Sequence, residues 1–223
     1  MQQTLMEAGD SDYELIWVDN GSTDGCQNLP SFFKADRILL NSKNMGVSIG
    51  YNQALGLCRT DWIYLIGSRN LMPNGWLKTG KSFAKSGLVD SVCMYEMSPM
   101  LLPDRWLPGA EIVISGLRLK PAIQNGAMIF RRSLLTSAGY WREDMGMYGW
   151  NDIEWARRIA SRNLRGYAVV DQLSPHLADD PNDKTMVSGV PYRQWVNSER
   201  DHPSKQERLE ACRIAGYPHF SPY

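Results

Sequence analysis

Leu15-Ile16-Trp17-Val18 is an unbroken apolar run, opened by Glu14 and closed by Asp19, and six turn formers come directly after it, Asn20-Gly21-Ser22-Thr23-Asp24-Gly25. A short apolar run between turn signals marks a strand buried on both faces, as parallel sheets require. The pattern then repeats. Arg37–Leu40 reads as a strand, Val47–Cys58 as a helix and Trp62–Ile66 as a strand. Trp76–Lys85 reads as a helix and Ser91–Tyr95 as a strand, and Gln3–Ala8 looks like the end of a short helix. Alternation of this kind predicts an α/β fold, a mostly parallel sheet with helices on both faces.

The second half is less regular. Pro99–Lys120 carries several prolines and reads as loop with one short strand. Ala127–Phe130 reads as a strand, Arg132–Ala138 as a short helix stopped by Gly139, Asp152–Asn163 as a stronger helix and Tyr167–Val170 as a strand. After Asp171 the chain turns polar and is punctuated by Pro181, Pro191, Pro203 and Pro218. The expected organisation is one domain over residues 1–175, with residues 176–223 as a tail packed on it or over its site.

Composition narrows the function classes. Lys plus Arg and Asp plus Glu are 24 each, so net charge gives no case for nucleic acid as the partner. No apolar run reaches transmembrane length, and the first residues lack the basic and apolar regions of a signal peptide. Cys26, Cys58, Cys93 and Cys212 show no C-x-x-C spacing and read as reduced thiols of a cytoplasmic protein.

Two segments in the first half carry chemistry. In open α/β sheets ligands sit beyond the carboxyl ends of strands, where Asp19 lies. A carboxylate there can accept the imide N–H of a uracil ring, glycine lets the backbone approach, and the hydroxyls can cap the next helix. The plainer reading is a turn whose side chains bond only backbone. The second segment is Asn41-Ser42-Lys43-Asn44-Met45-Gly46, with Gly50-Tyr51-Asn52 a few residues on. Asn44 and Asn52 suit a ribose or diphosphate, or else belong to an ordinary loop and an exposed helix face.

Together these segments resemble family 2 glycosyltransferases of the GT-A fold. That family shows V-D-[DN]-G-S-T-D after a strand, then N-x-G and a downstream Asn, then D-x-D. A G-x-x-x-F-R-R strand and an acidic E-D pair on a helix come later. Here those later parts are Gly126-Ala127-Met128-Ile129-Phe130-Arg131-Arg132 and Trp150-Asn151-Asp152-Ile153-Glu154. The resemblance runs from about Glu14 to about Val170. It implies a sugar transfer from a nucleoside diphosphate donor, a UDP-sugar, to a glycan or other hydroxyl acceptor, with inversion. Asp19, Asn20, Ser22, Asp24, Asn44, Gly46 and Asn52 would bind the nucleotide. Asp152 would be the general base that takes the acceptor proton, or else a helix-start acid favoured by the dipole. Trp141, Trp150 and Asn151 would touch sugar or acceptor, the two tryptophans being equally at home in a core.

The chain departs from the family in three places. The D-x-D position falls at Gly67-Ser68-Arg69, which offers Mn²⁺ or Mg²⁺ no carboxylate. Ser68 and Asn70 are neutral, and Arg69 can hold a diphosphate by its planar fork. Asn151 replaces the family's Glu. The opening strand, near V-S-V-I-I-P-T-Y-N, has no counterpart ahead of Glu14, and another segment, a partner chain or nothing fills its slot. His176 stands where relatives often carry a metal ligand, with Asp179 and Asp180 behind it. The second expectation is a catalytically inactive relative that binds nucleotide sugar or glycan, or scaffolds a partner. A nucleotidyltransferase is a weaker third, since its Gly-rich basic start is missing. Homo-oligomerisation is left open.

Overall fold

The computed structural model describes residues 13–68, 70, 72–93, 107–122, 127–171, 186–187 and 189–222. Strand β1 (Ile16–Asp19) leads through a 3-10 turn, Cys26–Asn28, into α1 (Leu29–Phe32) and β2 (Arg37–Leu40). Next come α2 (Val47–Leu57), β3 (Trp62–Leu65), α3 (Trp76–Ser86) and β4 (Ser91–Cys93). The later elements are β5 (Ile112–Ile114), β6 (Leu117–Pro121), β7 (Met128–Arg131), α4 (Ser133–Ser137), α5 (Asn151–Ser161) and β8 (Gly166–Val169). A small hairpin, β9 (Met186–Val187) with β10 (Val190–Pro191), precedes α6 (Tyr192–Arg200) and α7 (Pro203–Ile214). The helix expected at Gln3–Ala8 lies outside the described residues.

The strands form two sheets besides that hairpin. β1 and β2 pair in parallel, Asp19 opposite Leu40. The larger sheet has the order β3-β7-β4-β8-β6-β5. Only β4–β8 is parallel in it; β3–β7, β7–β4, β8–β6 and β6–β5 are antiparallel. The expectation of a mostly parallel sheet is therefore corrected. The cause is β7, which inserts antiparallel between β3 and β4, and a hairpin where a loop with one strand was expected. Ser115 and Gly116 turn that hairpin, both at positive φ, 52° and 80°. Two left-handed residues give the reversal whose twist matches paired strands.

Helices cover both faces, as expected. The alternation of β7 separates two cores: Met128 and Phe130 face Leu55, Trp141, Trp155 and Ile159, while Ile129 faces Trp76, Phe83, Val92 and Leu119. In α3, Trp76, Leu77, Gly80 and Phe83 are buried, the spacing of one helical face. In α5 the buried set includes Asn151, Glu154, Trp155, Arg158 and Ile159. Arg158 lies at 0% exposure, pairs with Glu154 through Nη2, and donates through Nη1 to the carbonyls of Ala138 (2.9 Å) and Tyr140 (2.7 Å). These bonds anchor the turn before α5. Gly139 in that turn meets the C-terminal segment: a Cβ there would stand 2.7 Å from the Phe220 nitrogen, and Tyr140 N donates to Phe220 O at 2.8 Å. All four cysteines are unbridged. No helix among the described residues is long and apolar enough to cross a membrane.

Candidate active site

Asp19 ends β1 with 5% exposure. Its Oδ1 accepts from Gly21 N (3.1 Å) and Ser22 N (2.8 Å). The turn role is thus filled by one oxygen, and Oδ2 meets no hydrogen-bond donor among the described residues. Gly21 has φ 81°, and a Cβ on it would stand 2.6 Å from Lys43 Cα and 2.7 Å from Asn44 N. Only glycine lets the two motif loops touch backbone to backbone. Asn20 locks them. Its Nδ2 donates to Asn44 Oδ1 (2.9 Å) and Gly46 O (3.1 Å), and its Oδ1 accepts from Met45 N (3.0 Å) and Asn41 Nδ2 (3.1 Å). Asn41 and Gln53 exchange two further amide bonds, and Asn44 Oδ1 accepts from Gly46 N. Ser22, Asp24 and Asn44 are exposed at the rim. The Asp24 carboxyl is held below its usual range by hydrogen bonds from the Cys26 side chain and backbone.

The second half of the site docks on the start of α2. Val47 N donates to Met147 O (2.9 Å), and Asn151 Nδ2 donates to Ser48 Oγ (2.6 Å). Asp152 comes next, half-buried in the first turn of α5, where the dipole favours a carboxylate. Tyr51 and Tyr148 report its place. Burial raises both phenols, and the Asp152 charge raises each further. Tyr51 also reaches the end of β3, its hydroxyl 3.7 Å from where a Cβ on Gly67 would stand. A chain of bonds therefore runs from the Asp19 turn through Asn20, Gly46, Val47 and Ser48 to Asn151 and Asp152.

Three residues expected at the ligand are buried and bonded within the protein. Asn52 is fully buried; its Nδ2 donates to Trp141 O (2.8 Å) and Glu143 Oε1 (3.0 Å), and its Oδ1 accepts from Trp141 N (3.1 Å). Trp141, 1% exposed, stacks on Trp155 at 3.9 Å and 16°, leaving no face for a sugar. Asn151, 2% exposed, turns inward to Ser48, and its Oδ1 has no partner. Asn52 lies one helical turn from Ser48 and Asn151 one residue from Asp152, so sequence spacing cannot separate inward from outward. Trp150 does remain at the surface. It is half-buried, holds φ 68°, and donates Nε1 to Arg200 O at 2.6 Å. A bulky residue in the left-handed region is strained, a state that collects at functional sites.

Ser68 is exposed beyond β3, and Asn70 N donates to Gly67 O at 3.1 Å, closing a tight turn. Arg69, His176, Asp179 and Asp180 lie outside the described residues, as does Gly126. The donors described at this turn, a hydroxyl and a carboxamide, are neutral and do not fit a hard divalent cation, which takes carboxylate oxygens. Sequence reading missed Tyr148, Tyr192, Trp195 and Lys205. Lys205, 5% exposed, donates Nζ to Tyr148 O and pairs with Glu199 at 3.2 Å. The Tyr192-x-x-Trp195 spacing was the available signal for a shared helical face.

Residues 2–98 match the sequence family described as glycosyl transferase family 2. Over that stretch, less than half of its length, the chain is similar to family 2, and its fold is that of the GT-A glycosyltransferase structures that follow. The match ends before β5, so the F-R-R strand and the Asn151-Asp152 helix start lie beyond it. Staphylococcus aureus TarS, residues 1–349, superposes with TM-score 0.56 at 16% identity, over 77% of this chain and 54% of that one. A TarS structure in complex with UDP gives TM-score 0.54 at 16% identity, with the same coverage. The mannosyltransferase PcManGT of Pyrobaculum calidifontis, in complex with GDP-Man and Mn²⁺, gives TM-score 0.60 at 19% identity, over 81% of this chain and 54% of that one. The chain thus spans about half the length of these structures. No curated protein sequence matches it.

Proposed function

We propose that this glycosyltransferase-like chain transfers a sugar from a UDP-sugar donor to a hydroxyl acceptor, with inversion and with Asp152 as general base. The observation that carries the reading is the continuous bond path from Asp19 to Asp152. It fixes the open oxygen of Asp19 and the half-buried carboxylate of Asp152 relative to each other, as donor and acceptor groups must be fixed. Asp19 Oδ2 accepts the uracil imide N–H, and Asn20, Ser22, Asp24, Asn44 and Gly46 shape the surrounding loops. Asp152 takes the acceptor proton as that oxygen attacks the anomeric carbon and the nucleoside diphosphate departs. General-base assistance of this kind contributes about 10²–10⁴ in rate.

The departing diphosphate needs positive charge, since electrostatic stabilisation is commonly the largest catalytic term. The neutral donors at Gly67-Ser68 and Asn70 argue against a metal there, and Arg69 has the permanent charge and planar fork for phosphate oxygens. Residues 1–175 then form the catalytic domain and residues 176–223 a tail over the site. The bonds from Lys205 and Arg200 to Tyr148 and Trp150 support that division.

Calorimetric titration with UDP tests the donor assignment. Asp19→Ala should weaken UDP binding by about 1–3 kcal/mol, the scale of a lost hydrogen-bond partner. Equal affinity in the variant would end it, and a preference for GDP would move the donor. UDP binding should also persist in EDTA. The neutral donor set beyond β3 and Asn151 in place of an acid also suit an inactive nucleotide-sugar binder. UDP binding with no donor hydrolysis across a panel of nucleotide sugars, with and without Mn²⁺, would favour that reading.

A further inference from the structure

The aromatic side chains of the core are sealed: Phe83, Phe130, Trp76, Trp141 and Trp155 are each 3% exposed or less. A second aromatic group is not. Tyr148, on the loop before α5, meets Tyr192 and Trp195 of α6. Ring centroids lie 6.5 Å apart for Tyr148–Tyr192, 5.8 Å for Tyr148–Trp195 and 6.2 Å for Tyr192–Trp195. All three are half-buried, so each keeps part of its surface in solvent. Clustered aromatic surface left open beside polar groups marks an interaction site rather than a core.

Its place is informative. Tyr148 stands four residues before Asp152, on the loop that leads into the first turn of α5 where the proposed base lies. The loop that carries it is held from three sides, by Val47 N on Met147 O, by Lys205 Nζ on Tyr148 O, and by Trp150 Nε1 on Arg200 O. We propose that Tyr148, Tyr192 and Trp195 form the wall of the acceptor subsite and that the acceptor is a neutral sugar ring. This rests on the glycosyltransferase reading and sharpens it to a substrate class. Ring faces suit the C–H face of a sugar, and the phenol hydroxyls suit its rim. A phosphorylated acceptor would want free cations, and among the described residues Arg200 is engaged with Asp201 at 2.8 Å and Lys205 with Glu199 at 3.2 Å. Arg193 is exposed but sits about 100° round α6 from Tyr192.

The test is calorimetry on the full chain saturated with UDP, titrated with maltohexaose, cellohexaose, chitohexaose and mannohexaose. At least one should bind. Trp195→Ala should weaken that binding by about tenfold or more, the scale of a lost aromatic contact, and Trp195→Phe should restore part of it. UDP affinity should be the same in all three proteins, which shows that the variants fold. No binding by any of the four, equal binding by Trp195→Ala, or binding of a glycerol-phosphate oligomer in their place would overturn the subsite. Failure of the wild-type chain to bind UDP would overturn the donor reading with it.

Discussion

The two halves of the proposed site are held by opposite means. On the donor side, β1 and β2 form a two-stranded sheet on which Ile38 is 46% and Leu40 54% exposed, and Phe32 of α1 is 64% exposed. Apart from the Asp19 carboxylate, the bonds that order the loops there are neutral and near the surface: the carboxamides of Asn20, Asn41, Asn44 and Gln53 with one another and with the backbone of Met45 and Gly46. On the base side, α5 rises from a sealed core through the Trp141–Trp155 stack and the Glu154–Arg158 pair, both charges at 0% exposure. A shallow amide network adjusts at low cost, whereas a buried charge pair tolerates no missing member. The proposed donor loops are therefore suited to adapt to a ligand and the proposed base to stay in place.

Breaking the pair should give the largest effect. Arg158→Met strands Glu154 in the core and removes the donors to Ala138 and Tyr140. Stability should fall by about 3–5 kcal/mol in urea denaturation. The double change Glu154→Leu with Arg158→Met should recover much of it, because no charge is then left unpaired. A loss below about 1 kcal/mol in the single variant would mean that water reaches the pair, since such small values belong to exposed pairs. Chemistry at the same helix start should move next. Asp152→Asn keeps the size and removes the basicity, so kcat for sugar transfer should drop by about 10²-fold or more while UDP affinity holds. A near-normal rate would leave Asp152 as a helix-start acid only.

The fold's alternation and the position of each motif were legible because strand and helix periods mark the chain directly. The direction of β7 was not, since an apolar run carries no sign of whether it pairs parallel or antiparallel. At the site, Asp19, Asn20, Asn44, Gly46 and Asp152 were legible as loop and helix-start residues. The inward turn of Asn52, Trp141 and Asn151 was not legible, because the sequence does not say which way a side chain turns. For Asn52 the Trp141 backbone, 89 positions away, settles it. Tyr192 and Trp195 hid in a Pro-punctuated tail that read as irregular. It holds two helices, the second opening with His202 accepting from Ser204 N and Pro203 in its first turn.

The donor network should answer to charge more than to packing. Asn20→Asp keeps the shape and removes Nδ2, leaving an anion against Gly46 O and Asn44 Oδ1. UDP affinity should fall by about 1–2 kcal/mol, with a similar or smaller loss of global stability, as for exchanged hydrogen bonds near the surface. If stability fell as far as in Arg158→Met, the contrast between the halves would fail.

The smallest effect separates the halves by pH. Neutral carboxamides do not titrate, so the donor network should be indifferent to mild acid. The larger sheet carries a clasp that does titrate. Asp90, just before β4, accepts from Arg165 N, Nε and Nη2, all at 3.0 Å, with Arg131 Nε 3.7 Å away. Burial pushes this carboxyl up, but the hydrogen bonds and charge of Arg165, helped by Arg131, outweigh it and hold the carboxyl below its usual range. A depressed folded value means that the native state binds the proton less readily than the unfolded chain. The clasp's stabilisation is then complete above the unfolded value of about 3.9 and is lost as pH falls through the folded one. Arg165 is 46% exposed, so solvent screens the pair and its worth is at the low end, about 1 kcal/mol. Asp90→Asn should therefore cost about that much at pH 7 by urea denaturation, and the gap from wild type should close as pH drops below about 4. A gap that does not narrow as pH falls below the unfolded value would mean the bonds act by shape alone and the charge contributes nothing.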